Sequence, residues 1–190
     1  MRKLITICMV VILSVAGTAN AVITFSEFPV GTAVGNHYQP QGVIFLAGIV
    51  TPALPIIDWN GAMPTQPILR PDGAAGGLFM YAGDFSMQFT VPQTSVQFDS
   101  GYWDMIGSAI IDVYDPGMIL LASLTNTMIG VEQITIGGLG PIGTIYFNSV
   151  ADPAGGDIDN LAFPIPAPGA ILLGGLGVGV FGWLRRRKAI

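Results

Sequence analysis

Hydrophobic and polar positions alternate with period two through the middle of the chain. Ser86-Met-Gln-Phe-Thr-Val91 sets Met87, Phe89 and Val91 on one face and Ser86, Gln88 and Thr90 on the other, the pattern of a half-buried strand. Pro92-Gln93-Thr94 interrupts it, and alternation resumes over 95–99 with Val96 and Phe98 inward, so the two runs are expected as an adjacent pair of strands. Further strands are expected at 109–114, 119–124, 132–136, 144–147 and 158–163, with weaker ones at 42–45 and 78–81. Asp115-Pro116-Gly117, Gly137-Gly-Leu-Gly-Pro141 and Asp152-Pro-Ala-Gly-Gly156 separate them with turn chemistry. No window of the middle reads as an amphipathic helix. The expected fold is an all-β antiparallel β-sandwich of jelly-roll type.

Pro52, Pro55, Pro64, Pro67 and Pro71 make 48–77 the irregular part, where neither a helix nor a central strand is expected to continue. A long surface loop of this kind, carrying Trp59 and Arg70, is a place to look for a ligand; the alternative is an excursion pinned by Trp59 in the core.

Two apolar runs flank the middle. Arg2 and Lys3 precede 4–15, which leads to the small-x-small pattern Ala19-Asn20-Ala21. This predicts a signal peptide over 1–21, read by a Sec translocon and cut by signal peptidase after Ala21. The only cysteine, Cys8, would leave with it, so the mature domain, 22–163, relies on its apolar core rather than disulfides. At the other end, 164–190 joins a Pro-rich motif at 165–169, an apolar transmembrane stretch at 170–184 and the basic tail Arg185, Arg186, Arg187 and Lys188. Fifteen residues give about 22 Å of helix, short of the roughly 30 Å hydrocarbon core, so the span is marginal. The basic tail stays cytoplasmic and 22–163 lies outside.

Charge follows the same division. Residues 22–163 hold Arg70 against twelve carboxylates, a formal net of −11. A nucleic-acid surface is excluded, since phosphate binding requires clustered Lys and Arg. Neutral glycans, cations and other proteins remain as partners.

Catalytic chemistry is sparse. His37 is the only histidine, and no Gly-x-Ser-x-Gly elbow is present, so the chain is not read as an enzyme. Asp99 and Asp104, flanking Tyr102 and Trp103, are the best pair for a secreted glycoside hydrolase, the less favoured alternative. Glycan binding would use aromatic platforms: Trp59, Tyr102 and Trp103 are the candidates, and adjacent aromatics on a strand face opposite ways, so at most one of the last two points inward. Asp157 and Asp159 on one side of a strand, with Glu27 from the other terminus, are candidate calcium ligands.

The tail resembles the PEP-CTERM sorting signal of Gram-negative and related bacteria: Ile165-Pro166-Ala167-Pro168-Gly169, the Gly-rich apolar stretch and the arginine run. Ala167 stands where that family has Glu, making this a Pro-Ala-Pro variant. The resemblance implies cleavage by an exosortase-type membrane protease, an inner-membrane intermediate and delivery to the cell surface or extracellular matrix, in bacteria that make exopolysaccharide and build biofilm. The stretches at 23–32, 38–45 and 158–161 are also similar to jelly-roll surface domains found ahead of that signal, in which terminal carboxylates can hold a structural cation. The expected function is therefore a non-enzymatic surface or matrix protein, or alternatively a carbohydrate-binding module acting on exopolysaccharide.

Overall fold

Nine strands and a short 3-10 helix, Gln39–Gln41, carry the regular structure of the described residues, which in this computed structural model are 18–59, 67–72 and 81–166. The strands are β1 (Thr18–Ile23), β2 (Val43–Ala47), β3 (Ile56–Asp58), β4 (Ile68–Arg70), β5 (Asp84–Trp103), β6 (Ile110–Tyr114), β7 (Leu120–Leu124), β8 (Gly130–Asn148) and β9 (Asp157–Pro166). Ala21–Pro164 forms one compact unit, and Thr18–Asn20 and Ile165–Pro166 fall to a second. The signal segment 1–17, the motif residues Ala167, Pro168 and Gly169, the apolar stretch 170–184 and the basic tail lie outside the described residues. Ala19 and Ala21, the expected cleavage pattern, lie in β1, and Pro166 ends β9. Among the described residues no helix is long and apolar enough to cross a membrane.

The strand order is β3-β4-β9-β5-β8-β6-β7, with β1 beside β9 and β2 beside β5. Two long strands make the spine. The first part of β5 pairs antiparallel with β2 and with 144–148 of β8, while 95–103 pairs with β9 and with 130–137 of β8. Thus β2, β6 and β7 extend one half of the sheet, and β3, β4 and β9 the other.

The expected breaks at Pro92–Thr94 and Gly137–Pro141 do not end strands, and 86–91 and 95–99 are not neighbours. Both runs belong to β5, and 132–136 and 144–147 both belong to β8. The breaks are compensating irregularities in one continuous ladder. Gln88↔Thr144 and Gln93↔Ile142 leave 89–92 opposite Gly143, and Ser95↔Gly137 then leaves 138–141 opposite Thr94. Extra residues on one strand and then on the other bend the pair without losing register beyond them. Gly138 and Gly140, at φ 72° and 107°, supply the left-handed geometry this requires. Val91 falls in the bend and is 50% exposed, so it does not continue the inward face of Met87 and Phe89.

The two halves face each other across an aromatic core. Phe89 of one half packs on Phe163 of the other at 5.1 Å, and Trp103 on Phe147 at 5.8 Å. Phe45, Phe85 and Phe147 continue the line, and Phe25, Tyr38 and Phe45 close it in mutual edge-to-face contacts. Such contacts add about 0.5–1.5 kcal/mol each beyond area burial. The proline-rich 48–77 stretch is not wholly irregular. It contains β3 and β4, which pair with each other, and β4 joins β9 at Leu69↔Ile158. Three-residue strands between prolines satisfy ladder geometry where longer ones would need the missing N–H groups. The weak strand at 78–81 lies outside the described residues except for Tyr81, which forms an isolated bridge with Gly155.

Candidate functional site

The face of the β3-β4-β9-β5 half turned away from the aromatic core gathers charge. Ile57, Leu69, Ile158 and Ser100 form a row that is fully buried against the core. By strand alternation, their neighbours point the other way: Asp58 on β3, Arg70 on β4, Asp157 and Asp159 on β9, and Asp99 on β5. The only cation of 22–163 therefore sits among carboxylates.

Asp58 organises this face. Its Oδ2 accepts from Arg70 Nε at 2.5 Å, and its Oδ1 accepts from the Trp59 N–H at 2.8 Å. Arg70 also donates through a terminal nitrogen to the Pro71 carbonyl at 3.0 Å, and its guanidinium lies 5.3 Å from the Tyr81 ring centroid. Burial raises the pKa of the Tyr81 phenol, Asp58 adds to the rise, and Tyr102 is close enough to contribute. One oxygen of the Asp58 carboxylate thus holds the backbone at Trp59, and the other holds Arg70, whose guanidinium lies by Tyr81.

Trp59 is 63% exposed and Tyr102 42%, whereas Trp103 is 1% exposed. Of the adjacent pair, Tyr102 faces solvent and Trp103 fills the core, so Trp103 is withdrawn as a glycan contact. Its ring lies against Gly156, where a Cβ would approach the ring to 2.5 Å. Trp59 is no core anchor either.

Beside this cluster lies a carboxylate pair. Asp99 and Asp159 are cross-strand partners, and Asp99 accepts from Asn160 Nδ2 at 2.8 Å and from Gln133 Nε2 at 3.3 Å. A bulge makes the Asn160 contact: Gln97↔Ala162 and Asp99↔Asp159 leave 160–161 opposite Phe98 alone, with Asn160 at φ 49°. Burial pushes the Asp159 carboxyl up to about 6, opposed by a hydrogen bond from the Asn160 N–H and reinforced by Asp99. The neighbour that strand pairing gives Asp99 is therefore Asp159. Asp104 is exposed, and its N–H donates to Asp152 at 3.0 Å.

The calcium set is not assembled: no group of three or more His, Cys, Asp or Glu that could hold a metal occurs among the described residues. Glu27 accepts instead from the Tyr38 hydroxyl at 3.0 Å, while Asp157 and Asp159 are buried on β9. His37 hydrogen-bonds the Val34 carbonyl through Nδ1 and packs edge-on against Phe28, with no acid or nucleophile bonded to it among the described residues. Asp58 was not singled out by sequence; an Asp-Trp dipeptide 12 residues before a lone Arg is too weak a signal without the β3–β4 register.

The sequence matches no family model and no curated protein. Among solved structures, it is similar to a variant of a family 29 carbohydrate-binding module, at 14% identity over 78% of this chain and 92% of that one, with a TM-score of 0.42. Another variant of that module, solved with mannohexaose, gives the same values. The K2 cleaved adhesin domain of Lys-gingipain shows 12% identity over 77% of this chain and 100% of its own, with a TM-score of 0.46.

Proposed function

We propose that this chain is an exported, non-enzymatic protein of the cell surface or extracellular matrix whose jelly-roll domain binds polysaccharide through Trp59 and Tyr102. The observation that carries the reading is the presence of two exposed aromatics, Trp59 and Tyr102, with the Asp58–Arg70 ion pair adjoining Trp59. Aromatic faces stack on the apolar faces of sugar rings, and fixed polar groups at the rim orient hydroxyls. The carboxylates near the site favour neutral sugars over uronates, since a polyanion would meet the half-buried Asp58 and Asp99.

Affinity electrophoresis through gels containing a β-glucan, a mannan, a xylan or alginate tests this. The native chain should be retarded by at least one neutral polymer and not by alginate. Trp59→Ala with Tyr102→Ala should abolish the retardation at unchanged melting temperature, since exposed substitutions typically alter stability by no more than about 0.5 kcal/mol. Unaltered retardation of the double variant would refute the site.

Export and sorting are proposed on the sequence of the two termini. The Pro-Ala-Pro motif, the apolar stretch and the basic tail support processing by an exosortase-type protease after passage through an inner-membrane intermediate. Intact-mass analysis of the surface-released protein should show loss of Arg185–Lys188. Recovery of the full tail on the released form would overturn the processing step.

A further inference from the structure

The other half of the sheet, built from β2, β6, β7 and the parts of β5 and β8 beside them, turns a polar face away from the core. Phe45, Met87, Ile145, Phe147, Ile111 and Val113 are buried, so strand alternation points the residues between them outward. Register lays Leu46, Ser86, Tyr146, Asp112 and Ser123 in one row across all five strands, a span of about 19 Å. Each of the five is exposed or half-buried. In the next row Gln88 and Tyr114 stand on either side of Thr144.

The two tyrosines of this face are held in place. Tyr146 stands opposite Ser86, yet its hydroxyl donates to Asp84, two residues away on β5, at 2.6 Å and accepts from Asn148 Nδ2 at 3.2 Å. Reaching that partner keeps the half-buried ring down along the sheet. Its anchor is rigid, because Asp84 is fixed in turn by the Ile49, Val50 and Thr51 N–H groups. Asp112 lies between the tyrosines: it is the cross-strand partner of Tyr146, and Tyr114 follows two residues along β6 on the same face. Burial raises the pKa of the Tyr114 phenol, and Asp112 adds to the rise. Little ring freedom remains to be lost when a ligand covers such a surface.

We infer that this face is a second sugar platform, on which Tyr146 and Tyr114 stack against a neutral polysaccharide chain while Asp112 accepts its hydroxyls. Two features select a polyol. Aromatic surface suits the apolar faces of sugar rings, and a carboxylate, which only accepts, suits O–H donors. No Lys or Arg lies on this face among the described residues, so a polyanion would be repelled by Asp112. A second copy of the domain is poorly suited, since its one cation, Arg70, is buried in the pair with Asp58, and Asp112 would lose water without gaining a charged partner. The inference takes its class of ligand from the polysaccharide reading above but none of its residues: Trp59 follows β3, and Tyr102 lies in the part of β5 that pairs with β9. Lacking a tryptophan, this is the weaker site, with binding expected in roughly the millimolar range. It therefore acts on polymer already held through Trp59 and Tyr102, where the local concentration of sugar is high.

Amide NMR of the full chain in a non-ionic detergent, titrated with the hexaoses of a β-glucan, a mannan and a xylan, tests this. At least one hexaose should shift the signals of 112–114 and 146–148, and should do so equally in the Trp59→Ala, Tyr102→Ala double variant. Tyr114→Ala and, separately, Asp112→Ala should raise the dissociation constant read from those signals about fivefold or more, whereas Tyr114→Phe, which keeps the ring, should change it less than about twofold. Thermal melting verifies that each variant folds. Shifts confined to the surroundings of Trp59 and Tyr102 overturn the second platform and leave the first standing. Shifts at 112–114 and 146–148 in a chain that no polymer retards support the second and remove the first. No shift with any hexaose, the result for a face that serves another protein, overturns the proposal, as does a constant unchanged in both Tyr114→Ala and Asp112→Ala.

Discussion

Replacing Asp84 by Asn probes how one carboxylate holds a distant turn. Asp84 opens β5 fully buried. Its Oδ2 accepts from the Ile49 N–H at 2.6 Å, the Val50 N–H at 2.9 Å and the Tyr146 hydroxyl at 2.6 Å, while Oδ1 accepts from the Thr51 N–H at 2.6 Å. The Asn amide nitrogen would best occupy the Oδ1 position, where it faces the buried Thr51 N–H donor to donor. Leaving that group unpaired costs about 1–3 kcal/mol, and the three remaining bonds each lose roughly 1 kcal/mol of charge assistance. Relief of the buried charge returns part of this, for a net loss of about 3 kcal/mol against a typical total of 5–15. In urea, with m of about 2 kcal/mol/M, the midpoint should fall by about 1.5 M at unchanged m.

The pH dependence sharpens the test. Burial raises the pKa of Asp84, but the Tyr146 hydroxyl and the three backbone N–H groups outweigh it, and the net shift is downward. The unfolded chain then binds the extra proton in the window between the two pKa values, so the Asp84 contribution is present above about pH 4 and lost as pH falls through the folded value. The parent should lose stability along that acid limb more steeply than Asp84→Asn, and the gap between them should close. A loss below about 1 kcal/mol at pH 7, or parallel acid limbs, would refute the reasoning.

Asp159→Asn addresses the opposite sign. With a folded pKa of about 6, above the unfolded value, the folded state holds the proton more tightly, so Asp159 lowers stability as pH rises from about 4 to 6; the variant should flatten that slope in midpoints measured from pH 4 to 7. Asp152→Ala should cost about 2–4 kcal/mol in denaturant unfolding, because the buried Asp152 carboxylate accepts from the Asp104, Met105, Ala154 and Gly155 N–H groups and the Ser108 hydroxyl. Gly155→Ala, at φ 85° with its Cβ overlapping the Tyr81 backbone, should destabilise by more than about 2 kcal/mol, whereas Gly31→Ala, at φ 89° in open space, should cost only about 1.

Strand positions were legible where period-two alternation was clean: Met87, Phe89, Val96 and Phe98 all face the core. Connectivity was not. Pro92 and Pro141 are the same residues whether a strand ends or bends, and only the partner ladder distinguishes the two. The short strands β3 and β4 were hidden because three residues carry no measurable period. At the candidate site, Trp59 and Tyr102 could be nominated as aromatic, but choosing between Tyr102 and Trp103 required the facing of β5. Asp84 and Asp152 were unreadable as anchors for a simple reason. Their donors include groups more than 30 residues away in sequence, and nothing local distinguishes them from turn carboxylates.

The position of β9 has a consequence for biogenesis. It lies between β4 and β5 and also pairs with β1, yet among the described residues it is the last strand in chain order and so the last to leave the ribosome. Until 157–166 have emerged, β3 and β4 lack the neighbour that joins them to the spine, and Phe89 lacks Phe163. The domain is thus completed by a keystone added at the end rather than built outward from a finished kernel. A chain stopped before Asp157 should remain an open, protease-sensitive intermediate. Because Ala167 follows β9 directly, the final closing step takes place at the residues immediately before 167–190.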